Sequence, residues 1–212
     1  MRHKGCFITV EGQDGSGKST NLSVIAKTLR SEGINVVETR EPGGTTLGEA
    51  LREIVLNGAE FEISDFAELL MIFAARAQHI EKVIQPALDE GKWVLCDRFT
   101  DATYAYQGAA RGVSFDAIGS LEQLVQGDLR PDLTILFDVP IDVGVARSSQ
   151  ERSPDRFESE NTLFKQKVRA AYLQLAQKYT KRIIVINADQ TPALVETDVV
   201  AAISGFIARE NN

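Results

Sequence analysis

Hydrophobic residues fall along this chain in two kinds of block. Short, nearly unbroken apolar runs rich in β-formers occupy Cys6 to Val10, Asn35 to Thr39, Lys92 to Cys96, Leu133 to Phe137 and Arg182 to Ile186. Between them lie longer stretches whose apolar residues return every three or four positions. The unbroken runs predict strands covered on both faces, and the longer period predicts amphipathic helices. Leu22, Ile25, Ala26 and Leu29 mark the first helix, which Gly33 stops. Thr45 to Leu56 puts Leu47, Leu51, Ile54 and Val55 on one face. Ser64 to Leu88 reads as one long helix that Pro86 bends, and further helical segments fall near Asp101 to Gly108, Phe115 to Gly127 and Thr191 to Arg209. Alternating strands and helices predict an α/β architecture, a five-stranded parallel sheet flanked by helices. With no repeat, low-complexity tract or linker, residues 1–212 are expected to form a single domain.

The first strand–helix junction carries the clearest chemistry. Gly12, Gln13, Asp14, Gly15, Ser16, Gly17, Lys18 and Ser19 complete the pattern G-x-x-x-x-G-K-[ST] between a predicted strand and a predicted helix, the context that the motif requires. The glycines let the backbone curl so that successive N–H groups point at phosphate oxygens, at the positive end of the helix. Lys18 is expected to reach the β- and γ-phosphates, and the Ser19 hydroxyl to bind Mg²⁺. Thr20 extends the same contact set. A nucleoside triphosphate is the expected ligand.

Composition narrows the class. A hydrophobic fraction of 43% and a charged fraction of 25% are ordinary for a globular protein. The formal charge of −7 argues against nucleic acid or an anionic membrane as partner. A polyanionic ligand must then be held by local clusters of cations. The two cysteines, Cys6 and Cys96, sit in separate apolar runs and predict buried thiols in a reducing compartment. Met1 to Lys4 lead straight into the first strand, and no run of 18 apolar residues occurs, so a cytoplasmic protein is expected.

Several strand ends place charge where α/β folds bind ligands. Asp97 and Arg98 close the third strand; the aspartate can hold Mg²⁺ or orient an acceptor phosphate. Asp138 closes the fourth and is expected to act structurally. Arg40 opens the Arg40-Glu41-Pro42-Gly43-Gly44 turn after the second strand. Arg76 lies in an otherwise apolar helix, where an arginine is costly unless paired or facing a polar ligand. Residues 147–160 hold Arg147, Arg152 and Arg156 without an apolar stripe, and predict either a solvated loop or a lid whose arginines close over phosphates. Several arginines aimed at one crevice predict phosphoryl transfer, which is mostly positioning and charge neutralisation. A guanine-reading Asn-Lys-x-Asp is missing; Ile186-Asn187-Ala188-Asp189 does not supply it. A small-metabolite kinase is the outcome, with a non-catalytic nucleotide-binding module as the alternative class.

The pieces FITVEGQDGSGKST (Phe7 to Thr20), TREPGGT (Thr39 to Thr45), LCDRF (Leu95 to Phe99), AYQG (Ala105 to Gly108) and PDLTILFDVP (Pro131 to Pro140) together resemble bacterial thymidylate kinase, end to end. The resemblance implies a P-loop kinase fold with a lid, a homodimer, and transfer of the γ-phosphoryl of ATP to dTMP. It implies that Arg98, with Arg40 or Arg52, clamps the dTMP phosphate, with Pro42 and Thr103 among the substrate contacts. Asp14 would accept from the sugar 3′-hydroxyl, Arg76 would donate to thymine O4, and Gln107 would complete the edge reading. Tyr106 would crowd a ribose 2′-hydroxyl, and Arg147 would lie at the adenine. Because Gly15 stands where one subtype carries its transition-state arginine, Arg152 or Arg156 of the lid would supply it here. Where the family often has a phenylalanine to stack on thymine, this chain has Ile72 with Phe73 beside it. Either Phe73 turns into the role or the base rests on an aliphatic wall. Ala75 and Ala102 stand where relatives carry serine. A related kinase acting on dUMP, UMP or CMP is the runner-up.

Overall fold

The computed structural model describes residues 5–58, 61–148 and 155–210. Among them, five parallel strands form one sheet in the order β2-β3-β1-β4-β5: β1 Phe7–Gly12, β2 Val36–Arg40, β3 Trp93–Asp97, β4 Leu133–Asp138 and β5 Ile183–Asn187. All six residues of β1 are buried, because helices cover both faces of the sheet. On one face Ile8, Val10 and Ile135 pack with Ile25 and Leu29 of α1 (Lys18–Ser31) and Val199 and Ile203 of α9 (Pro192–Glu210). On the other face Leu136 packs with Val168 and Tyr172 of α8 (Thr162–Lys178), and Phe7, Cys96 and Phe99 pack with Ile84 and Leu88.

The register brings strand ends into line. Asp97 pairs with Val10 of β1 on one side and with Arg40 of β2 on the other, and Gly12 pairs with Phe137. The chain builds β1, β2 and β3 on one side of the sheet before β4 crosses to the far side of β1. The crevice therefore opens at the carboxyl end of β1, at the point where strand order reverses.

Two helices frame that crevice from the β2 side. Thr45 caps α2 (Thr46–Asn57) by accepting from Gly48 N, and Ser64 caps α3 (Asp65–His79) by accepting from Ala67 N. The expected long helix is present, but its irregularity precedes the proline. A π-helical stretch at Ile80–Ile84 joins α3 to α4 (Gln85–Asp89), in which Pro86 lies in the first turn. Proline lacks an N–H and clashes with the carbonyl four residues earlier, and the widened turn absorbs both. A second π-helical stretch, Tyr104–Ala110, follows α5 (Thr100–Thr103) and leads to α6 (Phe115–Gln126). Two helices have no counterpart among the expected elements: α7 (Ile141–Ser148), which ends in Arg147 and Ser148, and α8, capped by Asn161 accepting from Phe164 N. The expected lid thus begins inside a helix, and its described end, residues 155–160, is a series of turns.

Candidate active site

A crevice of about 850 Å³ lies over the carboxyl ends of β1, β2 and β3. Its floor is the loop from Gly12 to Gly17, whose backbone is set by three positive φ angles, 141° at Gly12, 72° at Gly15 and 84° at Gly17. Side chains are excluded there for a second reason. A Cβ on Gly15 would meet the Gly144 carbonyl oxygen at 2.0 Å, and one on Gly12 would meet that of Phe137 at 2.6 Å. Helix α1 starts from this loop with no side-chain cap and no acid in its first turn, so its leading N–H groups face the crevice.

Two cations meet at one carbonyl. Lys18 Nζ donates to the carbonyl oxygens of Gly12 and Gln13, both at 2.9 Å, and Arg98 Nη1 donates to Gly12 O at 3.0 Å. Arg98 Nη2 also donates to Asp14 Oδ1 at 2.8 Å, and its guanidinium lies 4.9 Å from the Tyr106 ring centre. Arg98 has φ 67°, the single positive φ outside glycine among the described residues. Burial, reinforced by the Arg98 charge, pulls the Lys18 pKa down to about 8. Phosphate oxygens at this loop would restore the charged form.

Arg76 lies at the other end. It is 1% exposed, with its guanidinium between the rings of Phe73 (4.7 Å) and Phe99 (4.9 Å). Nε donates to Glu41 Oε2 at 2.7 Å and Nη2 to Thr103 Oγ1 at 2.9 Å. His79 Nδ1 lies 2.9 Å from the other oxygen of Glu41. Among the described residues, Arg76 Nη1 has no hydrogen-bond partner although it is buried. Such a donor is costly to leave unmatched, and Arg76 lines the crevice.

Most of the expected residues share this crevice wall. Asp14, Gly15, Ser16, Gly17, Lys18, Ser19 and Thr20 line one end; Arg40, Pro42, Arg52, Arg76, Asp97, Arg98, Thr103, Tyr106 and Gln107 line the rest, and Arg147 closes it beside Ala188. Arg147 Nη1 donates to Ala188 O at 2.9 Å. Arg40 pairs with Glu49 at 2.8 Å, and Arg52 Nη1 donates to Pro42 O at 2.9 Å. Asp138 is taken by Arg169, which donates to both carboxylate oxygens, in keeping with a structural part.

Other expectations need correction. Phe73 does not reach the crevice: it packs with Leu69 and Ile118 under Arg76, and Ile72 lines the wall in its place. One helical position is a turn of about 100°, so the two side chains cannot share a direction. Gln13 turns its side chain away, donating from Nε2 to Val139 O at 2.8 Å, so only its backbone remains for the loop, as the motif requires, and the Gly12 carbonyl is taken by Lys18 and Arg98. Arg156 does not line the crevice; its Nη1 donates to Val55 O at 2.9 Å and its Nη2 to Glu68. Arg152 lies outside the described residues.

Four residues at or behind the site were not singled out from the sequence: Glu11, Glu41, Glu68 and Tyr172. Glu11 accepts from Phe99 N at 2.7 Å and lies 2.8 Å from the Tyr172 hydroxyl, which in turn accepts from Arg98 Nη1 at 3.2 Å. Burial, with the nearby Asp101 charge, pushes the Glu11 carboxyl up to about 8. For Glu11 and Glu68 a signal existed, an acid inside an apolar run, the same anomaly that marks Arg76.

The family model described as thymidylate kinase matches residues 10–199. The chain belongs to the thymidylate kinase family. That family phosphorylates dTMP with ATP, giving dTDP, in nucleotide biosynthesis. The thymidylate kinase of Pseudomonas putida (strain GB-1) is 52% identical over 205 residues, 97% of this chain and 98% of that one. That of Teredinibacter turnerae is 52% identical over 203 residues, 96% and 99% of the two chains. Among solved structures, thymidylate kinase from Ehrlichia chaffeensis superimposes with a TM-score of 0.76 at 35% identity, covering 94% of this chain and 99% of that one. The sheet and flanking helices described above are the fold of this family.

Proposed function

We propose that this kinase transfers the γ-phosphoryl group of ATP to a phosphate oxygen of dTMP, releasing ADP, with the residues of the crevice in the following roles. The observation that carries the reading is the buried Arg76 Nη1, a donor with no partner among the described residues, facing the same crevice as a phosphate loop. A guanidinium offers donors only, so the group it meets must be an acceptor. A 4-oxo pyrimidine presents one there, and a 4-amino pyrimidine presents a donor.

The backbone of residues 12–17 and the start of α1 bind the donor phosphates, with Lys18 neutralising charge as it develops. Arg98, with Arg40 and Arg52 alongside, binds the acceptor phosphate. The attacking oxygen then lies in line with the γ-phosphorus while the bond to the ADP oxygen breaks. Asp14, already oriented by Arg98, accepts from the sugar 3′-hydroxyl. Tyr106 and Gln107 border the sugar and base, and Ile72 supplies an aliphatic wall against the ring. Arg147, bound to the Ala188 carbonyl at the start of the β5–α9 connection, borders the adenine.

The residues present fit a divalent ion held largely by the nucleotide. Asp97 Oδ1 is buried without a partner among the described residues, and Ser19 lines the same wall. One carboxylate and one hydroxyl, with no larger cluster of ligating side chains among the described residues, suit Mg²⁺, which keeps waters and phosphate oxygens as its other ligands. When bound, the ion would neutralise charge on the β- and γ-phosphates. Of the two lid arginines, Arg152 is left as the residue to contact the transferring group.

A homodimer is part of the same reading. Phe66 and Leu70 stand exposed one turn apart on α3, with Leu124 80% exposed on neighbouring α6. Such apolar residues on adjacent helices support a subunit interface. Buried cysteines at positions 6 and 96, neither in a disulfide, support a cytoplasmic location, to be checked by cell fractionation. No described helix is long and apolar enough to cross a membrane.

The test is ADP release with MgATP and a panel of dTMP, dUMP, UMP, CMP and AMP. The expected result is that dTMP leads, and that CMP falls about 10²-fold or more below UMP in kcat/KM, because its amino group faces Arg76. Turnover led by CMP or AMP would overturn the base assignment. Absence of turnover in folded protein that binds ATP would overturn phosphoryl transfer itself.

A further inference from the structure

A fully buried carboxylate sits where the base end of the crevice meets the root of the lid. Glu68, in the first turn of α3, is 0% exposed, yet its two oxygens face different parts of the molecule. Oε1 accepts from Gln107 Nε2 at 2.9 Å, and Gln107 lines the crevice. Oε2 accepts from Arg156 Nη2, at the far end of the lid segment. Arg111, four residues after Gln107, places Nε 3.6 Å from Glu68 Oε1 and pairs through Nη1 with Glu160. Glu68 itself does not line the crevice.

Arg156 is fixed twice over. Its main-chain N–H donates to Leu56 O at 3.0 Å, and its Nη1 to Val55 O at 2.9 Å, both at the end of α2. The next residue, Phe157, packs edge-on against Tyr106 with ring centres 5.5 Å apart. Asp155 accepts from the N–H groups of Phe157 and Glu158, both at 2.9 Å, which holds the turn closed. A side chain anchored through its own backbone and through two carbonyl or carboxylate contacts is not placed to reach the phosphate loop.

We propose that Glu68 is a positioning residue that couples reading of the acceptor base to the root of the lid, with Arg156 as its lid-side partner and not as a contact of the transferring phosphoryl group. The coupling rests on the placement of the base beside Gln107. A buried carboxylate demands a full set of donors, so the loss of one redistributes the others. Without Arg156, Glu68 draws on Gln107 and Arg111, and the Gln107 amide is no longer held for the base. An arginine outside the crevice therefore governs the acceptor's affinity.

The experiment is a double-mutant cycle on the full chain, with Gln107→Ala, Arg156→Ala and the pair, reading dTMP KM, ATP KM and kcat separately. Each single change is expected to raise dTMP KM about tenfold, the equivalent of one charge-assisted or buried hydrogen bond. ATP KM should stay within about twofold, and the double variant should be no worse than the poorer single, as expected of residues acting through one partner. Should Arg156→Ala fail to fold, Arg156→Lys keeps the charge but cannot span both Val55 O and Glu68, and an about threefold rise in dTMP KM is expected. Multiplied effects in the double variant would overturn the coupling. So would a fall in kcat at unchanged dTMP KM in Arg156→Ala, which would mark a phosphoryl contact, or an unchanged dTMP KM in Arg156→Lys. A normal dTMP KM in Gln107→Ala would overturn the base placement, and the coupling with it.

Discussion

Arg98 shows how a single residue carries both function and strain. Its φ of 67° lies in the left-handed region, where a side chain with a Cβ costs about 1–2 kcal/mol. The surroundings impose that conformation: Arg98 N donates to Val10 O at 2.9 Å, and the next N–H, that of Phe99, is taken by Glu11. The guanidinium is thereby aimed back over Gly12 instead of outward along the strand. Two substitutions separate these properties. Arg98→Ala and Arg98→Gly should both raise dTMP KM about 10- to 100-fold through lost charge-assisted bonds, with ATP affinity nearly unchanged. In urea unfolding, Arg98→Gly should be about 1 kcal/mol more stable than Arg98→Ala, because only glycine accepts this φ without penalty. Equal stability of the two would contradict the strain, and equal losses for ATP and dTMP would contradict the acceptor assignment.

At the scale of an element, α3 divides its circumference among three tasks. Ile72 and Arg76 lie four residues apart on the side that meets the crevice, with Glu68 one turn earlier behind Gln107, while Leu69 and Phe73 fill the core between α3 and α6. Phe66 and Leu70 remain on the outer side. If that side is a subunit interface, Leu70→Glu places a charge in its middle. Light scattering should then report a monomer for the variant where the unaltered chain gives a dimer, and identical masses would refute the assigned face. Much of this helix was legible from its apolar period, and the arginine within it stood out by cost. The faces were not, because a stretch of Leu, Met, Ile, Phe and Ala is apolar all round and gives no direction. That is why the sequence left open whether Phe73 turns toward the base or Ile72 gives it an aliphatic wall. Helix α8 was missed for the opposite reason. Its buried set, Phe164, Val168, Ala171, Tyr172 and Ala176, has helical spacing, but two of the five are alanines, and Lys165, Lys167 and Arg169 interrupt it. Tyr172 reaches Arg98 across 74 residues of sequence, a proximity that no local pattern encodes.

For the whole molecule, the acids beneath the crevice link folding to pH. The Glu11 carboxyl is raised from an ordinary 4.5 to about 8, chiefly by burial. The native state therefore holds a proton between those values that the unfolded chain has lost, and stability must fall as pH rises through that window. This contribution is fully present below about 4.5 and gone above about 8. Lys18 acts in a separate window: lowered from 10.5 to about 8, it makes stability rise with pH only above about 8. Urea unfolding between pH 5 and 8 should show a decline in the unaltered chain that is reduced in Glu11→Gln. Parallel curves would show that Glu11 is ionised in the folded protein. The carbonyl of Gly12, on which Lys18 and Arg98 both rest, has a consequence of another kind. Two loops that leave the sheet separately would each add their own jitter to the gap between donor and acceptor. Here both cations are gauged from one atom at the tip of one buried strand. Any displacement of that atom carries the pair along together, and the spacing across which the phosphoryl group must pass is kept like two marks on a single ruler.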